Sequence, residues 1–137
     1  MFTAPALIGI ALAPVVVLLG RVSGLDRDRA MYPITLIVIA AYYVLFATMG
    51  GAQALPAELI AATVFIVVAI IGFRTSLWWA AAGIFAHGVL FDWALHPRLI
   101  ANPGMPVFWP AFCGSIDVAL GLLIAILLLR RAIPARG

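Results

Sequence analysis

The sequence is poor in charge and in cysteine, and it contains no lysine. Of its 137 residues, 9% are charged and 66% are hydrophobic, whereas about a quarter of the residues in a soluble domain are charged. Water cannot solvate so much apolar surface, so a soluble catalytic domain is excluded. The single cysteine, Cys113, excludes an intramolecular disulfide. No basic n-region precedes the first apolar run, so we expect this run to be a retained membrane span.

Long apolar runs fill most of the chain. A helix needs about 20 residues to cross the hydrocarbon core of a bilayer, and the runs provide for five such helices in a single domain of residues 1–137. The sequence therefore predicts an all-α, polytopic integral membrane protein. Four spans are the alternative, because Pro14 interrupts the first run. The predicted spans cover residues 2–20, 31–49, 57–73, 77–96 and 111–129.

The arginines predict the orientation of these spans. Seven of the eight fall in the loop after the first span, the loop after the third span and the C-terminal tail. Cytoplasmic loops carry an excess of positive charge, so we expect the N-terminus outside and the C-terminus in the cytoplasm. The net charge of +3 is thus explained by orientation and does not indicate nucleic-acid binding. The expected partner of the whole surface is the lipid bilayer.

Two short stretches, residues 87–96 and 113–117, hold both histidines, the cysteine and two of the five acidic residues. A charged side chain inside a bilayer costs about 2.5–3.5 kcal/mol on insertion scales and by default marks a functional site. Both stretches fall in the outer halves of the last two spans, so we predict an outer-leaflet polar site between these spans. Asp92, Asp117 and His87 lie at similar depths, and they are the candidates for a ligand or proton site.

Regular α-helical spacing divides these residues into two sets. Asp92 and His96 are four residues apart, as are Cys113 and Asp117, so each pair shares a helix face. His87 lies about 140° around an α-helix from Asp92, so we expect it to face another helix, or to reach the site only if the fourth span is distorted. Imidazole, thiolate and carboxylate together suit a transition metal, so the candidate cofactor is a transition-metal ion. Its predicted ligands are His96, Asp92, Cys113 and Asp117.

Further polar and aromatic residues are expected at the rim of this site. The Asn-Pro-Gly turn shapes the loop between the last two spans. Glu58 is expected at the surface in the first turn of the third span, where an acid complements the helix dipole. Arg98 is a candidate partner for an acid on the outer face. The predicted rim residues are Glu58, Arg98, Asn102, Trp93 and Trp109.

Three functions fit this pattern. In the first, the outer-leaflet site binds a metal ion or relays protons or a small solute. In the second, the chain is an accessory or assembly subunit of a larger membrane complex and its polar cluster is purely structural. Ala111, Ser115 and Ala119 would then offer a second helix contact. In the third, the chain is a small transporter that works as a homo-oligomer. No base and nucleophile are paired, so the sequence favours a role other than an enzyme.

The spacing of the polar residues is similar to that in a family of small bacterial membrane proteins. It reads His-Gly-x3-Asp-x3-His in residues 87–96, then Asn-Pro-Gly-x-Pro-x2-Trp-Pro-x2-Cys-x3-Asp in residues 102–117. The resemblance covers only residues 87–117 and implies no activity, cofactor or residue role. The expected location is the bacterial inner membrane, with several membrane passes.

Overall fold

The fold is built from helices. The computed structural model describes residues 3–136, and within this range it contains no β-strand, which confirms the all-α class. Phe2, the first residue of the first predicted span, lies outside the described residues. The helices are α1 (Thr3–Ser23), α2 (Met31–Met49), α3 (Leu55–Arg74), α4 (Leu77–Ala86), α5 (His96–Leu99) and α6 (Trp109–Leu129), with a π-helical segment, His87–Leu95, between α4 and α5.

Four of these helices, α1, α2, α3 and α6, are long and apolar enough to cross a membrane. This is consistent with a multi-pass membrane protein. Helix α2 has the same bounds, Met31–Met49, as the second predicted span. The others are longer than predicted: α1 continues to Ser23, α3 begins at Leu55 and α6 begins at Trp109.

The fourth predicted span is not one regular α-helix. The chain is helical from Leu77 to Leu99, but its geometry changes to π-helical at His87 and returns to α-helical at His96. In a π-helix the backbone hydrogen bonds join residues five apart rather than four. The amide of His96, for example, donates to the carbonyl of Phe91. We call His87–Leu95 the π segment.

Helix α6 lies at the centre of the packing. It contacts α1 on one side and α4 with the π segment on the other, while α3 and α2 pack against α4. Helix α1 approaches α6 closely, because a Cβ on Gly9 would lie 3.3 Å from Cβ of Ser115. The small-residue face of α6 that contains Ser115 is thus occupied by a helix of the same chain.

The apolar core lies between α2, α4 and α6. Its fully buried side chains include Leu36 of α2, Ile84 of α4, and Leu120 and Ile124 of α6. In a lipid environment such contacts stabilise the bundle through close packing rather than through exclusion of water. They fix α4 against α6 and thereby set the register of the π segment that follows.

Two different groups of contacts close the ends of the bundle. At the arginine-rich end, Arg21 Nη1 lies 2.9 Å from Asp26 Oδ2 and donates to the carbonyl of Ala132. At the opposite end, the loop of residues 100–108 packs on the end of α2, where a Cβ on Gly50 would lie 3.0 Å from Cα of Gly104. This loop contributes a buried side chain to the site described below.

Candidate functional site

The π segment brings His87 and Asp92 onto one face. Their side chains lie five residues apart, and His87 Nδ1 is 3.5 Å from Asp92 Oδ1. Of the two alternatives for His87, the structure shows the second: the fourth predicted span departs from 3.6 residues per turn, and His87 reaches the site. A π-helix has a wider turn with hydrogen bonds between residues i and i+5, so residues five apart become neighbours.

Asp117 of α6 completes a buried cluster with these two residues. His87 Nδ1 lies 2.8 Å from Asp117 Oδ2, and Cys113, one turn earlier on α6, donates its Sγ–H to the same oxygen over 3.8 Å. One ligand atom from each of the four residues lies within 4.8 Å of the others. We call His87, Asp92, Cys113 and Asp117 the four-residue cluster.

Burial of the four-residue cluster is nearly complete. His87, Asp92 and Asp117 are 0% exposed and Cys113 is 3% exposed. Glycine makes this close approach of the two elements feasible, since a Cβ on Gly88 would lie 2.6 Å from the carbonyl oxygen of Gly114. Any larger residue at that position would push the π segment away from α6.

Aromatic rings surround the imidazole of His87. The ring centroids of Phe65 and Phe91 lie 4.6 Å and 5.1 Å from that of His87. Tyr43 of α2 supplies a third ring at 5.6 Å, and its hydroxyl donates a hydrogen bond of 2.5 Å to Asp92 Oδ1. Tyr43 was not among the predicted site residues, although a phenol in the middle of an apolar span signals a buried hydrogen bond.

Several polar atoms of the cluster have no hydrogen-bond partner within residues 3–136. They are His87 Nε2, Asp92 Oδ2 and Asp117 Oδ1, and all three are buried. Leaving a buried polar group unsatisfied costs about 1–3 kcal/mol, and more for a charged group. The cluster therefore has capacity to bind a further group.

His96, Glu58 and Asn102 form a second buried group beside the cluster. His96 Nε2 lies 2.7 Å from Glu58 Oε1, and Asn102 Nδ2 donates to the same oxygen over 2.8 Å. Asn102 also donates to the carbonyl of Tyr43 over 3.1 Å. We call these three residues the Glu58–His96 group. It ties α3, α5, the 100–108 loop and α2 together.

The Glu58–His96 group corrects two predictions. His96 pairs with Glu58, which is 38 residues away in the chain, and it does not join Asp92, Cys113 and Asp117 in the four-residue cluster. Glu58 is 0% exposed rather than a surface acid of a helix N-terminus. Both errors arise because helix periodicity cannot reveal which side chains of distant segments meet.

The remaining predicted rim residues lie outside both groups. Arg98 is exposed, and its guanidinium donates to the carbonyl of Ala94 over 2.6 Å. Trp93 is 45% exposed and donates its Nε1–H to the carbonyl of Pro110 over 3.0 Å. Trp109 packs its ring 4.9 Å from that of Phe46. These side chains support the rim but contact neither buried carboxylate of the cluster.

The cluster is short of positive charge. Within residues 3–136, His87 is the sole ion-pair partner of Asp92 and of Asp117. Among the described residues, an arginine forms an ion pair only at the other end of the bundle, where Arg21 pairs with Asp26. Two carboxylates thus share a single imidazole in an apolar surrounding, where an unpaired charge is costly.

The comparisons with known proteins give no family. No protein-family model, no curated protein and no solved structure matches this chain. The interpretation of the site therefore depends on its own chemistry.

Proposed function

We propose that this chain is a multi-pass membrane protein that holds a cation, either a metal ion or a proton, in the four-residue cluster. The proposed topology has five spans, with Leu77–Leu99 as the fourth, the N-terminus outside and the C-terminus in the cytoplasm. The helical run of Leu77–Leu99 is long enough for this, and the arginine distribution supports the orientation. The cluster then lies in the outer leaflet of the bacterial inner membrane.

The single observation that carries the proposal is the pairing of two buried carboxylates with one imidazole. If Asp92 and Asp117 are both ionised, one protonated His87 leaves a net negative charge at a site where no arginine of residues 3–136 is an ion-pair partner. Buried charges are normally paired or bind a metal. A bound cation supplies the missing charge, and a proton on one carboxylate is the smallest cation that does so.

Tyr43 connects the cluster to the loop that the proposed topology places on the outer face. The Glu58–His96 group lies beside the cluster, with the Tyr43 ring centroid 4.8 Å from that of His96. Asn102 of this group belongs to the loop of residues 100–108, which the proposed topology places outside. Tyr43 therefore contacts both groups, since its backbone carbonyl accepts from Asn102 and its hydroxyl donates to Asp92.

The proposal is tested on the full chain purified in detergent. Equilibrium dialysis against Na⁺, K⁺, Mg²⁺, Ca²⁺ and Zn²⁺ measures metal binding, and a lightly buffered pH titration measures proton uptake. The variants are Asp117→Asn and, as a control, Asp28→Asn, which changes an exposed acid far from the cluster. We expect wild type and Asp28→Asn to bind a metal ion or a proton that Asp117→Asn does not. If all three proteins bind ions and titrate alike, the proposal is wrong.

A further inference from the structure

We infer that the cation is a divalent transition metal of the zinc type, bound by His87, Asp92, Cys113 and Asp117. This inference rests on the proposed function, because it names the ion that the same cluster holds. It also replaces the predicted ligand His96 with His87. The four donors come from two elements, the π segment and α6.

The distances within the cluster are close to those of a tetrahedral site. Zinc binds nitrogen and oxygen at about 2.0–2.2 Å and sulfur at about 2.3 Å, so its tetrahedral ligands lie about 3.3–3.8 Å from one another. The four ligand atoms here all lie within 4.8 Å of one another. Two of the contacts, 2.8 Å from His87 to Asp117 and 3.8 Å from Cys113 to Asp117, bracket the required range. Side-chain shifts of about 1 Å bring the largest of these separations into the tetrahedral range.

The donor types select the class of metal. Ca²⁺ takes six to eight oxygen ligands, and Mg²⁺ requires six in an octahedron. The cluster offers one nitrogen, one sulfur and carboxylate oxygens from two residues. Imidazole and thiolate favour zinc and its chemical relatives over the hard cations. The cysteine is thus the residue that distinguishes this site from a proton site or a calcium site.

Unsatisfied atoms and supporting hydrogen bonds also fit a metal. Asp92 Oδ2 and Asp117 Oδ1 are buried without a partner among the described residues, so each carboxylate retains an oxygen with free lone pairs. Tyr43 holds the other oxygen of Asp92. Metal-binding carboxylates commonly have such a second hydrogen bond, which orients them toward the ion.

The ligand chemistry predicts that binding releases a proton from Cys113 and leaves the site with one net negative charge. Two carboxylates neutralise the two positive charges of the ion, and the imidazole binds in its neutral form. Cys113 binds as a thiolate, so its Sγ–H bond breaks, an Sγ–metal bond forms and the proton leaves to the solvent. Four protein donors leave no open coordination position. This is the arrangement of a structural zinc site rather than a catalytic one.

Cobalt provides the direct test, because Co²⁺ replaces zinc and reports its ligands by absorption. The full chain in detergent is titrated with Co²⁺ and then with Zn²⁺, while metal content and released protons are measured. We expect one ion per chain, a thiolate-to-cobalt charge-transfer band in the near ultraviolet, and displacement of Co²⁺ by Zn²⁺ but not by Mg²⁺ or Ca²⁺. Cys113→Ser should lose the charge-transfer band and bind at least about tenfold more weakly.

A pair of histidine variants identifies the ligand set. His87→Gln should lower the affinity for Co²⁺ by at least about tenfold, whereas His96→Gln should keep the affinity and the spectrum, since His96 lies outside the cluster. Thermal unfolding of each variant shows that it is folded. If the protein binds a proton or Ca²⁺ and no thiolate band forms, the metal assignment is wrong while the proposed function stands. If no ion or proton binds, both are wrong.

Discussion

The imidazole of His87 contacts the carboxylate of Asp117, with 2.8 Å between Nδ1 and Oδ2, and it thereby joins the π segment to α6. The two residues are 30 positions apart. Their contact depends on the π-helical geometry, which turns His87 to the face of Asp92, and on the glycines that let the two elements approach. The cation site is a consequence of this local change in helix geometry.

Gly88→Ala tests the close approach of the π segment to α6. The added methyl would lie 2.6 Å from the carbonyl oxygen of Gly114 and 3.1 Å from Cβ of Asp117. We expect a loss of about 1–3 kcal/mol in the free energy of unfolding, as for other overpacked sites, together with weaker cation binding. Chemical unfolding in detergent measures the first effect, and Co²⁺ titration measures the second.

Ala82→Val is the control, because it adds carbon atoms at an exposed position of α4. We expect the free energy of unfolding and the affinity for Co²⁺ of Ala82→Val to be close to those of wild type. If Gly88→Ala also behaves like wild type, the close approach of the two elements is not needed for the site.

Tyr43→Phe removes the hydroxyl that donates to Asp92. The loss of this hydrogen bond should lower the free energy of unfolding by about 1–3 kcal/mol. It should also weaken metal binding about 10–100-fold, the usual effect of removing a residue that orients a ligand. Chemical unfolding in detergent measures the loss of stability, and competition with a chelator measures the loss of metal affinity.

Tyr42→Phe is the matched control, since Tyr42 is the neighbouring tyrosine of α2 but is 41% exposed, with its ring tilted against that of Trp109. Equal losses in the two variants would show that the effect belongs to tyrosines of α2 in general and not to the contact with Asp92.

Glu58→Ala should destabilise the bundle more than Glu58→Gln. Removing one partner of a buried pair costs about 3–5 kcal/mol, because the other partner is left uncompensated. Glutamine retains an oxygen that can accept from His96 and Asn102, so its effect should be smaller. Thermal unfolding in detergent ranks the two variants. Equal stability of Glu58→Ala and wild type would contradict the burial of the Glu58–His96 group.

Cysteine labelling tests the topology. In a Cys113→Ser background, Gln53→Cys and Thr75→Cys each add one exposed thiol, in the loops before and after α3. A membrane-impermeant maleimide added to intact bacterial spheroplasts should label Gln53→Cys only, because the proposed topology places that loop outside. Labelling of Thr75→Cys alone would reverse the orientation and place the cluster in the cytoplasmic leaflet.

The sequence predicted the long helices well. Hydropathy alone predicts the four long apolar helices, and it gives Met31–Met49 with both bounds correct. The small errors at α3 and α6 arise because the proline that follows the first residue of each helix is tolerated in the first turn. Composition and periodicity are sufficient to predict the long helices, because each span must satisfy its own backbone hydrogen bonds in lipid.

The site was predicted only in part. Asp92, Cys113 and Asp117 do lie together, because one of the expected stripes, that of α6, is regular. Whether His87 reaches the site stayed open, because hydropathy gives no sign of a change to π-helical hydrogen bonding. The pairing of Glu58 with His96 and Asn102 depends on how distant segments pack, which one sequence without relatives does not reveal.

The central claim is that His87, Asp92, Cys113 and Asp117 hold one metal ion. X-ray absorption at the zinc edge of the zinc-loaded full chain tests it most directly. The account predicts one sulfur at about 2.3 Å and three nitrogen or oxygen ligands at about 2.0–2.2 Å, with the sulfur lost in Cys113→Ser. A shell of oxygen ligands without sulfur, or a protein that retains no zinc, would contradict it.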